Sequence, residues 1–240
     1  MRVWKIREPG VGWGIATIPL SNRDLQLMVA ANRAAAFGVA AQWVLHDLRS
    51  PAQSLTLMAD LMADPDTEVE EILRESCGHL ARSLDLLSRV LHPSPPADVG
   101  PISVREPLGF IADLHHAGRT SARLEVTIDP SVQAAAGIEQ HLEHALLNLV
   151  LNATAALQSQ EGGVIRITAR NDGDQVEIVV ADNGPGMAPD AQLSGEGLLV
   201  ASEVLRLSGG TLTHAPGSER GARFVITLPL WRRASAQPEE

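Results

Sequence analysis

The sequence predicts an α+β protein: an N-terminal helical hairpin that forms a dimeric four-helix bundle, followed by an α/β sandwich domain. Three observations predict it. Before residue 92, apolar residues recur at alternating steps of four and three, the spacing of a helical seam. Four prolines within HPSPPADVGP, His92 to Pro101, forbid a continuous helix and mark a linker. After it, short runs of alternating apolar residues are separated by helical stretches, the pattern of strands laid against helices.

Each element follows in order. Residues 1–20, rich in Gly, Trp and Ile, read as one or two strands of unassigned role. Ser21 reads as a helix N-cap, with Asp24 three residues on in a capping-box arrangement. The helix it opens runs to about Met62, with its seam at Phe37, Ala41, Val44, Leu48, Pro51, Leu55, Met58 and Met62. ADPDTE, Ala63 to Glu68, reads as a turn, and a second helix carries Leu73, Cys77, Leu80, Leu84, Leu87 and Leu91 at the same spacing. A hairpin over 21–92 buries its seam poorly alone, so the expectation is a homodimer. Residues 93–101 are the linker, 102–233 a second domain and 234–240 a polar tail. In the second domain LEVTI, VIRITA, QVEIVVAD and ARFVITL read as strands, with helices near Pro107 to Ser121, Ile138 to Gln158 and Leu198 to Leu207.

Composition narrows the function. The 240 residues are 45% apolar with net charge -10, enough for a sizeable core and lacking any basic block, which argues against a nucleic-acid surface. The single cysteine, Cys77, excludes an intrachain disulfide framework and a Cys-based zinc site. Lys5 is the only lysine, which discounts Schiff-base chemistry and a Walker-type phosphate loop. No run is long and apolar enough to span a membrane, and no secretory signal is visible, so the expected location is cytoplasmic.

Four groups of residues carry chemistry. His46 lies two residues from both Val44 and Leu48, so it points away from the seam and should be exposed. Asp47 follows it, Ser50 shares its helix face, and Pro51 removes the amide that would bond the Asp47 carbonyl. An imidazole nitrogen beside a carboxylate is a nucleophile next to a base. Asn148 and Asn152, at i and i+4, share one helix face and could hold a metal ion or phosphate oxygens. Asp182 ends an apolar strand just before Gly184 and Gly186, where a carboxylate can accept a base amine and glycines let backbone approach a ligand. Gly195 and Gly197 enter a helix whose free amides suit phosphate.

HDLRSP, His46 to Pro51, resembles the phosphoacceptor box of the sensor histidine kinases, with a HisKA-like dimerisation domain. The preceding AAFGVAAQWVL resembles the lead-in segment of the nitrogen-regulation branch. The resemblance implies that His46 is phosphorylated, that Asp47 is its base, and that Ser50 occupies the position used in dephosphorylating the partner. The later motifs resemble the GHKL (Bergerat) ATP-binding domain: an N box with Asn148 and Asn152, a G1 box with Asp182, Gly184 and Gly186, a G2 box with Gly195 and Gly197, and the closing strand ARFVITLPL. The resemblance implies ATP and Mg²⁺ as cofactors, Asn152 as magnesium ligand, Asn148 on the phosphates, Asp182 on the adenine amine, and a response-regulator receiver domain as partner.

Two departures matter. Only eight residues, Met187 to Ser194, separate the G1 and G2 glycines, without the family's phenylalanine-containing box. They include no Lys or Arg, so the cation near the terminal phosphate must come from elsewhere, and a slow kinase is expected. The alternatives are a phosphotransferase or pseudokinase that receives phosphate from another kinase, and a non-catalytic dimeric scaffold. Input is expected through residues 1–30 or a separate sensor protein. His115, His116, His141, His144 and His214 are assigned structural roles.

Overall fold

The computed structural model describes residues 2–8, 12–18, 22–61, 67–91, 98–118, 120–186, 196–215 and 220–232. The expected N-cap Ser21, most of the expected turn and linker, Gly195 and the lid between the G1 and G2 glycines lie outside the described residues.

β1 (Arg2–Glu8) and β2 (Gly12–Ile18) pair antiparallel, two strands where one or two were expected. α1 (Asn22–Leu61) continues through Pro51, and α2 (Thr67–Leu91) runs back along it. The seam is only partly covered. Phe37, Ala41, Val44 and Pro51 are buried, whereas Cys77 and Leu84 of α2 are exposed. The N-terminal half of α1 and the end of α2 are docked on the second domain: Arg89 of α2 pairs with Glu143 at 3.0 Å and lies 4.2 Å over the Phe110 ring. Trp43 of α1 meets the His115 ring edge-on at 6.3 Å.

The second domain begins with β3 (Gly100–Ile102), which pairs with β5 (Ala135–Gly137). Two residues read as linker, Gly100 and Pro101, are therefore strand. Its main sheet has the order β4-β6-β7-β9-β8, built from β4 (Arg123–Ile128), β6 (Val164–Asp172), β7 (Gln175–Asp182), β8 (Thr211–His214) and β9 (Arg223–Pro229). β4 is parallel to β6 and the other pairings are antiparallel. Alternation places Ile165, Ile167, Val176, Ile178, Val180, Phe224, Ile226 and Leu228 on the buried face, against α3 (Arg105–Ala117), α4 (Glu139–Leu157) and α5 (Glu196–Leu207).

α3 stops four residues earlier than its apolar pattern suggests, at Gly118. A Cβ there would come to 2.6 Å from the Trp43 ring, so packing of α1 requires glycine at this point. β3, β5 and β8 have no counterpart among the expected strands. They are three or four residues long; β3 and β5 are built mainly of Gly, Pro and Ala, poor strand formers whose pairing comes from tertiary context, and β8 is too short to show an alternating pattern.

Candidate nucleotide and phosphoacceptor sites

The end of β7 delivers Asp182 to a loop that its own side chain braces. Its Oδ1 accepts the Gly184 amide at 2.8 Å and the Ala222 amide at 3.2 Å. Asn183 fixes the same loop from the other side: its Oδ1 accepts the Val164 amide at 2.8 Å, and its Nδ2 donates to the Gly162 carbonyl at 3.0 Å. Gly186 has φ +79°, and Gly221, at φ +111°, crosses directly over the Asp182 carbonyl.

α4 forms the floor of a trough. The Gly184 Cα lies over its C-terminal end, where a Cβ would meet Leu157 at 3.3 Å and Ala156 at 3.7 Å. Gly197, opening α5, lies over Asn148, whose Oδ1 would stand 2.9 Å from a Cβ there. Between them Asn152 is exposed. The eight residue steps of helix from Asn148 to Ala156 span about 12 Å, with Asp182 near one end and Asn148 at the other. Both glycines permit close approach: a Cβ on Gly184 would also stand 2.8 Å from Asp182 Oδ1.

Asn148 is buried, and its Nδ2 donates to the His144 carbonyl one turn earlier at 2.9 Å, which leaves Oδ1 towards Gly197. The two carboxamides expected to act together thus differ in exposure: Asn148 is pinned, Asn152 open. Among the described residues no cluster of three His, Cys, Asp or Glu side chains is arranged to hold a metal. A magnesium ion here would take few protein ligands and complete its shell with phosphate and water oxygens, with Asn152 the accessible one.

Beyond Asn148 the trough is closed by α1. Asn32 Oδ1 bonds His144 Nε2 at 3.0 Å, and Phe37 packs on the same imidazole at 6.4 Å. His144 is 2% exposed, and its pKa is pushed down to about 4, first by burial, then by the charges of Arg33 and His141. His115 and His141 are shifted the same way, with burial the largest cause in each. His144 is therefore neutral in the fold and takes a proton on unfolding. Its contribution is complete above the ordinary 6.5 and is lost as pH falls towards 4. Thermal melts are expected to show stability falling across that window by up to about 3 kcal/mol from His144 alone. A flat profile, or one unaltered in His144→Asn, contradicts this.

The phosphoacceptor side is separate. His46 is exposed, as its position opposite the seam predicts. Asp47 is buried against α2, with Oδ2 3.1 Å from His79 Nε2 and 3.2 Å from Ser83 Oγ. His79 and Ser83 were not legible as site residues, because nothing local in sequence registers one helix of a hairpin against the other. Ser50 lies in α1, and its side chain is outside the described residues. His46 is fourteen residues along α1 from Asn32, about 21 Å of helix. The structure therefore brings Gly184 and Gly197 against the two ends of one stretch of α4, while His46 lies elsewhere along α1.

The chain is similar to known proteins over most of its length. Residues 137–232 match the family described as histidine kinase-, DNA gyrase B-, and HSP90-like ATPase. The chain is 27% identical over 230 residues to the C4-dicarboxylate transport sensor protein DctB of Rhizobium meliloti (strain 1021), covering 85% of this chain and 36% of DctB. It is 27% identical to the sensor histidine kinase ZraS of Escherichia coli O157:H7, covering 81% of this chain and 46% of ZraS. The chain thus spans half or less of the length of these two relatives. Full-length ShkA, crystallised with AMPPNP, shares the fold with a TM-score of 0.50 at 22% identity, over 90% of this chain and 47% of ShkA. The chain is thus similar in sequence to sensor histidine kinases, and its residues 137–232 match the histidine kinase-, DNA gyrase B- and HSP90-like ATPase family.

Proposed function

We propose that the chain is the kinase core of an ATP-dependent protein histidine kinase that autophosphorylates on His46 and passes the phosphoryl group to a receiver-domain aspartate of a response regulator. The observation that carries this is the coexistence, in one chain, of an exposed imidazole in HDLRSP and a trough in which Asp182 is braced by two backbone amides at one end and Asn148 is pinned at the other. In this reading Asp182 holds the adenine amine, Gly184, Gly186, Gly195 and Gly197 admit the phosphates, and Asn148 and Asn152 orient them. Magnesium, bound at Asn152, would neutralise developing phosphate charge. A ring nitrogen of His46 attacks the terminal phosphorus, the bond to the bridging oxygen breaks, and ADP departs. Asp47, in this reading the base for His46, has its carboxylate held by His79 and Ser83 of α2.

The 21 Å of helix between Asn32 and His46 means that transfer follows re-docking of the ATP domain along α1 or engagement of a second copy. Leu45, 56% exposed, and Leu84, 51% exposed, support a second copy on the hairpin and with it a dimeric four-helix bundle. Among the described residues no helix is long and apolar enough to cross a membrane. The phosphotransferase reading is not favoured, because Asn148, Asn152, Asp182, Gly184 and Gly186 are all present.

The test is incubation of the purified chain with γ-labelled ATP and magnesium. Acid-labile, base-stable label is expected, as a phosphorus–nitrogen bond to an imidazole gives. Absence of label together with absence of ATP binding overturns the proposal.

A further inference from the structure

The lid, Met187 to Ser194, carries no Lys or Arg, yet a terminal phosphate normally needs positive charge beside it. The described structure offers one at the right end of the trough. Asn148 marks that end, and one turn further along the same α4 face lies His144, bonded to Asn32 of α1. Asn32 Nδ2 also comes to 3.8 Å from the position of a Cβ on Gly197, so this carboxamide stands at the mouth between α4 and α5.

Arg33 is the next residue. Its guanidinium lies 5.6 Å over the Phe37 ring and close enough to α4 for its charge to bear on His141, Glu143 and His144. The adjacent carboxylate, Glu143, is bonded to Arg89 instead, at 3.0 Å. Arg33 Nε is buried and has no hydrogen-bond partner. A buried guanidinium N–H without an acceptor costs free energy that an anionic oxygen would recover.

We propose that Asn32 and Arg33 complete the terminal-phosphate end of the nucleotide trough, so that α1 docks more tightly on a nucleoside triphosphate than on a diphosphate. This rests on the nucleotide-binding half of the proposed function. It supplies from the helical hairpin the cation that the lid lacks, and it makes the position of the helix bearing His46 depend on which nucleotide is bound.

The experiment is isothermal titration of the full chain with magnesium AMP-PNP and with magnesium ADP, on the parent and on Arg33→Met and Arg33→Lys. Methionine keeps the packing on Phe37 without the charge. Arg33→Met is expected to lose about tenfold in AMP-PNP affinity and to hold ADP affinity within about twofold, with lysine recovering most of the loss. Equal weakening of both ligands, or of neither, overturns the inference while leaving the nucleotide site standing. A parent chain that binds neither ligand overturns the nucleotide reading, and this inference with it.

Discussion

Gly221→Ala is expected to destabilise the ATP domain by at least about 3 kcal/mol and to abolish nucleotide binding. Two independent effects act together. The backbone at Gly221 has φ +111°, a conformation that L side chains rarely adopt. A Cβ there would overlap the Asp182 carbonyl oxygen and crowd its carbon at 2.6 Å. Neither atom is a flexible side-chain end that can swing aside. Relief therefore requires separating the strand that ends at Asp182 from the loop entering β9, which breaks the Asp182 amide to Ala222 carbonyl bond at 3.0 Å and the return bond from the Ala222 amide. Since the Ala222 amide also braces the Asp182 carboxylate, the residue proposed to hold adenine loses its support with it. Thermal unfolding and calorimetric titration with ATP check this, and an alanine variant that melts and binds like the parent contradicts it.

Gly221 also illustrates what the sequence conceals. Asp182, Gly184 and Gly186 were legible because their chemistry is local: an acid at the end of an apolar strand followed by glycines. Gly221 gains its role from a backbone crossing forty residues away in the chain, which leaves no trace in periodicity or spacing. The same holds for Asn32 and His144, joined across 112 residues. His144 was assigned a structural role, and its burial and bond to α1 agree with that while placing it at the end of the trough.

The fold followed a similar rule. α4 was expected over Ile138 to Gln158 and spans Glu139–Leu157, because nineteen residues of sustained helical period leave little choice of boundary. β6 and β7 were legible from alternation, with Gly173 at φ +62° closing the hairpin between them. The helical seam was read as a surface for a second copy. In the structure its N-terminal part, around Phe37, is covered by the chain's own α4, while Leu84 on α2 stays open. Helical periodicity marks a face that needs covering and does not distinguish a partner from another domain of the same chain.

The largest effect on chemistry is expected at His46. It is exposed, so His46→Gln should change stability by no more than about 0.5 kcal/mol, and loss of phosphorylation in that variant reports chemistry and not unfolding. Glutamine keeps a polar side chain and lacks a nitrogen lone pair able to attack phosphorus. Asp182→Asn removes the carboxylate that two amides hold, and should block the donor side independently. The most direct measurement is therefore peptide mapping of the chain labelled with γ-labelled ATP and magnesium, beside both variants. The account predicts acid-labile label confined to the peptide containing His46, with none on either variant. Label that persists in His46→Gln, or that survives acid, would contradict it.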